Sequence, residues 1–197
     1  MRTVQPCDGL VVTESTLFAP GVYVAPRGIT VAADDVVIDG QGALLLGPEA
    51  TGAAITIEGR SNVTVRNVHV IGYRHGVVAR GCRNLVLQRN RVLGTAELPP
   101  NTVFLDIWKP AHQAYGAAIL LHDVVESRVE DNDLQHQQNG LLTYDCHRLR
   151  VARNAASYNS GFGIHLYGTC DSLFEENCAD YCCRFEPRQG GLHYGHM

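Results

Sequence analysis

Arg80, His122, Tyr144, His165 and Tyr167 supply a cation, two imidazoles and two phenols, the groups that proton abstraction beside a carboxylate requires. That reaction needs a base, a positive group for the developing enolate and an acid for the departing oxygen. His122 or His165 can serve as base, Arg80 or Lys109 as cation, and Tyr144 or Tyr167 as acid. Asp145 and His147 sit at an adjoining turn, and Trp108 and Lys109 lie in a long segment able to wall one side. These four are the candidate substrate contacts. Aromatic and basic groups with few carboxylates suit an extended anionic chain, such as a uronate-containing polysaccharide. Hydrolysis would need two carboxyl groups about 5–9.5 Å apart. Only Glu58, Asp123 and Asp145 stand near this face, which ranks hydrolysis below β-elimination or C5-epimerisation.

Metal chemistry has weaker support. GIHLY and GLHY place His165 and His193 at the same offset, so adjoining coils could share a transition metal between them, with His122 or His196. No H-x-x-x-H or H-E-x-x-H spacing occurs. Calcium requires six or more convergent oxygens, and Asp34, Asp35 and Asp39 read as turn residues. Calcium or a transition metal stays open as a cofactor, with none assigned. Seven cysteines without a paired C-x-x-C read as mostly buried thiols, with disulfides in an exported chain as the alternative; Cys146 and Cys170 are expected at the same turn of successive coils.

What positions these residues is a repeat. Segments from Gly52 (GAAITIEGRSNVTVRNVHV), Gly76 (GVVARGCRNLVLQRNRVL), Gly116 (GAAILLHDVVESRVEDNDL), Gly140 (GLLTYDCHRLRVARNAAS) and Gly163 (GIHLYGTCDSLFEENCAD) share one layout. Each runs from a glycine through a short β-prone strand, a polar turn and a second strand to an asparagine. Asn90, Asn132, Asn154 and Asn177 are 42, 22 and 23 residues apart, the first interval being one repeat plus an insertion at residues 95–115. A unit this short cannot bury its own apolar face, so units must stack in parallel register. The asparagines then form a ladder that pairs turn amides from coil to coil. Residues 1–51, β-branched and broken by Gly and Pro, read as N-terminal coils or a cap. The expectation is one all-β domain over 1–197, a single-stranded parallel β-helix (solenoid) of about six to seven coils.

Alternation along each strand sorts the faces. Counting from the leading glycine puts Ala53/Ile55, Val77/Ala79, Ala117/Ile119, Leu141/Thr143 and Ile164/Leu166 inside. Ala54/Thr56, Val78/Arg80, Ala118/Leu120, Leu142/Tyr144 and His165/Tyr167 then face solvent, with Glu58, Cys82, His122, Cys146 and Thr169 two positions on. Tyr144 and His165 are therefore expected at the surface of an open groove.

Composition narrows the partners. With 16 basic and 20 acidic residues the formal net charge is −4, against nucleic-acid binding. No apolar run approaches the roughly 20 residues of a membrane span. The start, MRTVQPCDGLVV, has no signal-peptide core, which fits a cytoplasmic chain, or a periplasmic or extracellular one whose signal has been removed.

The repeat, with LFAPGVYVAPRGITVAADDVVIDGQGALLLG, NVTVRN and SGFGIHLYGTCDSLFEEN, resembles the right-handed parallel β-helix proteins. Within these it is most similar to the pectate-lyase-like, carbohydrate-binding and sugar-hydrolysis repeat group, which includes alginate C5-epimerases and the periplasmic nitrous-oxide-reductase maturation protein. The resemblance covers nearly the whole chain and implies a polysaccharide or oligosaccharide partner and Tyr, His, Arg and Asp as working groups. The Asp-Pro-His-Asp segment of the epimerases and the calcium-binding aspartates of the pectate lyases are absent from this sequence. A non-catalytic sugar-binding or assembly scaffold, a fragment of a larger protein, and a periplasmic metal-handling protein are the alternatives. QGGLHYGHM begins like another coil, so the C-terminal end reads as truncated or covered by self-association.

Overall fold

The structure is a computed structural model that describes residues 1–99 and 109–182. Trp108, His193 and His196 lie outside the described residues.

Among the described residues the chain winds as a parallel β-solenoid of about seven coils, with an eight-stranded, a seven-stranded and a four-stranded sheet as its walls. Every named strand pair is parallel. The reason lies in the alternation. Ile38, Val65, Leu87, Val129 and Val151 face inward from the long sheet, Leu45, Val70 and Val92 from the four-stranded one, and all are buried. The seven-stranded sheet adds Ile55/Ile57, Val77/Ala79 and Ile119/Leu121, so like residues pile on like at one strand spacing, about 4.8 Å.

Corners need backbone with positive φ, and the sequence fills most of them with Gly, Asn or Asp. Gly59, Gly81, Asp123, Asp145 and Gly168 all have φ between 50° and 61° at the end of the seven-stranded sheet. Asp34, Asp35 and Asp39 work as turn residues: they accept from Ser61 N–H, Asn62 Nδ2, and Arg66 Nε with Asn67 Nδ2.

The asparagine ladder is present and buried. Asn90 N–H and Nδ2 donate to Asn132 Oδ1, Asn132 to Asn154 Oδ1, and Asn154 to Asn177 Oδ1. Each Nδ2 also donates to a carbonyl of the coil below: Val65, Leu87, Val129 and Val151.

Two expectations about register are corrected. Ile55, Val77, Ile119, Leu141 and Ile164 share one level. Gly76, Gly140 and Gly163 are thus equivalent, while Gly52 and Gly116 start two residues early. Ala54 and Ala118, placed outside by the glycine count, belong to the interior cluster, whereas Ala53 and Ala117 pack outside it. Cys170 pairs with His147, not Cys146, which is buried one residue earlier. The six described cysteines are all free thiols.

Candidate functional site

The strands Ala53–Glu58, His75–Arg83, Ala117–Val125, Asn139–Tyr144 and Ile164–Tyr167 line up so that Glu58, Arg80, His122, Tyr144 and Tyr167 form one outward row. Four of the five expected reactive residues, Arg80, His122, Tyr144 and Tyr167, therefore stand one above another. His165 does not: it levels with Leu142 on the neighbouring row and stacks on Phe162, ring centroids 4.7 Å apart. Burial lowers the pKa of His165, which favours a neutral ring.

The row is wired from below. Arg80 Nη1 lies 2.9 Å from Glu58 Oε1, so its guanidinium is already ion-paired. His122 Nε2 is 3.9 Å from Asp145 Oδ2, and its ring meets Tyr144 edge-on at 6.4 Å. Tyr144 and Tyr167 are tilted together at 5.7 Å. Arg80, His122 and Tyr167 are each partly open to solvent, and Asp123 and Asp145 are exposed.

Tyr144 corrects the expectation of an open groove. It faces outward, yet only 4% of it is accessible. Val78, Leu120, Leu142 and Tyr144 form a second apolar cluster outside the coil, closed by Ala111 and Ala114 of the insertion. Arg74 Nη2 fastens that insertion by donating to Ala114 O at 2.8 Å. The described C-terminal part of the insertion thus lies on the sheet, because the outward side chains beneath it are apolar and need cover. Burial, reinforced by Tyr167, raises the Tyr144 pKa. The accessible part of the site is the strip along the insertion's edge: Arg80, His122, Tyr167 and the turn aspartates.

Lys109 Nζ sits 4.2 Å from the centroid of the Tyr115 ring, a cation–π contact that holds it on the insertion. His147, half-buried, joins Val125 and Cys170 through backbone bridges at the turn. Among the described residues no group of three or more His, Cys, Asp or Glu is placed to hold a metal ion.

Carboxylates are more prominent than the sequence implied. Glu58, Asp123 and Asp145 share the strip with one guanidinium, and that guanidinium is bonded to Glu58. Asp123 and Asp145 occupy the same left-handed turn position on successive coils, next to paired His122 and Tyr144. The sequence marks Asp145 as a candidate substrate contact and Asp123 as a carboxylate near the turn, and neither as a candidate catalytic group. Two further features escaped the sequence reading. His75 is buried with its Nδ1 unpartnered, and its pKa is pushed down to about 3 by burial, then by Arg74 and Arg80. His136, Tyr158 and Tyr181 form an exposed ring stack at another corner. Their spacing matches that of the asparagine ladder, a signal the sequence did carry.

A family profile described as "Right handed beta helix region" matches residues 53–194. No curated protein matches the chain. Among solved structures, a protein from Parabacteroides merdae ATCC 43184 named as a candidate glycosyl hydrolase is similar with TM-score 0.64 and 12% identity, over 84% of this chain and 82% of that one. The catalytic domain of a GH87 alpha-1,3-glucanase in complex with nigerose is similar in two structures. One has TM-score 0.56 and 16% identity over 89% of this chain, the other 0.51 and 14% over 89%. This chain spans 32% and 38% of those two chains, about a third of their length. At such identities the likeness is one of fold.

Proposed function

The chain belongs to the right-handed β-helix family, and from that premise we propose that it is a carbohydrate-active protein that cleaves glycosidic bonds at the strip beside the insertion. The observation that carries this reading is the pairing of Asp123 and Asp145 on successive coils beside His122. Adjacent coils stand about 4.8 Å apart, a spacing compatible with the short carboxyl separation of retaining hydrolases. One aspartate would attack the anomeric carbon while the other gives its proton to the leaving oxygen, and a water deprotonated by that second aspartate would then release the sugar from the first. His122, 3.9 Å from Asp145, would orient that carboxylate. Exposed Tyr167 offers an aromatic face to a sugar ring. The relatives with sugar-cleaving names, one seen with nigerose, add support of the same coarse kind.

The strip favours a neutral sugar over a uronate. An anionic substrate would need a cation, and the charge of Arg80 is already offset by Glu58, with Asp123 and Asp145 repelling an anion nearby. β-Elimination or C5-epimerisation of an acidic polysaccharide is the second reading, favoured by the vertical row of Arg80, His122, Tyr144 and Tyr167.

One assay separates them. The full chain is incubated with neutral gluco-oligosaccharides, polygalacturonate and alginate. New reducing ends without the ultraviolet band of an unsaturated uronate are expected, and that band instead would establish the second reading. Asp145→Asn and Asp123→Asn should each cut turnover by about 100-fold or more, the scale of losing a general acid or base. No product from any substrate would leave a non-catalytic glycan-binding scaffold and overturn the catalytic assignment.

A further inference from the structure

We propose that the open ring face of His136 is a second glycan contact, a stacking site for one pyranose ring, separate from the strip and resting on the carbohydrate reading above. His136, Tyr158 and Tyr181 stand on one row of successive coils. Their rings are stacked nearly parallel, with centroids 5.2 Å and 5.1 Å apart and interplanar angles of 5° and 7°. All three are exposed, Tyr181 at 70%.

Local stability does not explain the column. All three residues take left-handed backbone, at φ 57°, 59° and 55°. Bulky side chains are uncommon there and cost on the order of 1 kcal/mol each. Ring stacking returns a similar amount, about 0.5–1.5 kcal/mol per pair, and solvent-exposed rings bury little area. The two coils below resolve the same corner with glycine, Gly94 (φ 58°) and Gly72 (φ 80°). Counting on from the Arg91–Asp133 bridge, Gly94 levels with His136, whose carbonyl accepts the Gly94 N–H, and a Cβ at Gly94 would meet no described atom within 4 Å. Among the described residues the column thus ends in an imidazole face above a corner, Gly94, that offers no side chain.

The chemistry around that face suits a sugar. The C–H groups on one side of a pyranose present positive edges to the negative π face, and its hydroxyls need polar partners at the rim. Ile71 and Leu93, the residues before Gly72 and Gly94, give an apolar margin. Gln135 and the Arg91–Asp133 ion pair, 3.2 Å, give a polar one on the same outer face. His136 lies eight residues before Tyr144, so at roughly 3.3 Å per residue it is no more than about 26 Å from the strip. A long glycan could touch both.

The test measures affinity and turnover on the same full-length proteins with linear gluco-hexasaccharides. Saturation-transfer NMR should show ring protons of the sugar close to His136. His136→Ala should weaken binding about fivefold to tenfold, and His136→Tyr should keep it. Asp145→Asn should remove turnover and leave this binding intact. Unchanged affinity in His136→Ala, or no hexasaccharide binding by the wild type, overturns the inference. So does a loss in His136→Ala that comes with a large fall in Tm and is not restored by His136→Tyr, since the ring would then be structural. If His136→Ala loses affinity while Asp145→Asn still turns over substrate, the stacking site stands and the catalytic reading of the strip falls.

Discussion

His75 levels with Ala53 and Ala117, the two alanines packed into the outer cluster, and its ring is taken out of water with them. The folded protein holds it neutral until about pH 3, burial being the main cause and Arg74 and Arg80 the next. In the unfolded chain the same ring takes a proton near pH 6.5. Between those values the unfolded state binds the extra proton, so stability is intact above pH 6.5 and is lost as pH falls, by about 1.4 kcal/mol per pH unit. Asp8, Asp39 and Asp131 are held below their usual values by Arg27, by Asn67 and Arg66, and by Arg153, so their contribution is lost only at lower pH. Tm should therefore already drop between pH 6.5 and pH 4.5, and His75→Phe should remove most of that slope. His165, shifted the same way by burial, accounts for a remainder. A slope unaffected by His75→Phe would place the titrating group elsewhere.

At the scale of elements, Asn132 shows why the repeat was legible and where legibility stopped. Its Oδ1 accepts from two donors of Asn90, and its Nδ2 donates to Leu87 O and Asn154 Oδ1, all buried between coils. Nothing else of similar size can make those bonds, so asparagine recurs through four coils from Asn90 to Asn177, with Val68 at that level in the coil below, and the period can be counted in the sequence. Asn132→Ala should cost about 3 kcal/mol by orphaning Asn90 N–H and Leu87 C=O, lowering Tm by roughly 6–12 °C. Asn177→Ala, at a half-buried rung where water can replace the lost partner, should cost about 1 kcal/mol. Equal losses in thermal melts would contradict a ladder whose rungs differ in burial. Glycines are poorer markers. Gly76 and Gly140 sit where a Cβ would press on the next coil's Ala118 O or Gly163 O, whereas Gly52 is held by its left-handed φ of 61° and Gly116 by Ala96 O and Arg74 O, so glycine serves different needs at different levels. Counting from every glycine alike therefore shifted two coils by two residues. The insertion's path escaped for a different reason. Val78, Leu120 and Leu142 are apolar at outward positions, which signals cover, yet alternation alone assigns outward residues to solvent.

For the whole molecule, stacking makes stability a matter of neighbours. Each coil is held by the coil on either side, so the terms add along the axis and the ends have only one partner. The packing follows this. On the inward rows, Ala79, Ile119 and Leu121 in the middle are fully buried, Val4 and Tyr23 toward one end are only partly buried, and in the last described coil Phe174 is partly buried and Leu166 is 44% exposed. Leu166 makes the contrast sharpest, because it pairs with fully buried Thr143 on the same inward row one coil below. Backbone amides should accordingly open in order. Hydrogen exchange is expected to be slowest in Val77–Ala79 and Ile119–Leu121, reporting the global unfolding free energy, and fastest in Arg2–Val4 and Leu173–Glu175. Ile119→Ala should lower the protection of the central strands by about 2–4 kcal/mol, the cost of a cavity with a neighbour above and below. Leu173→Ala should change it by less than about 1 kcal/mol, because the side chain it trims is already half in water. Uniform protection along the axis would mean that the coils unfold as one block, and the gradient from buried middle to open ends would then carry no energetic weight.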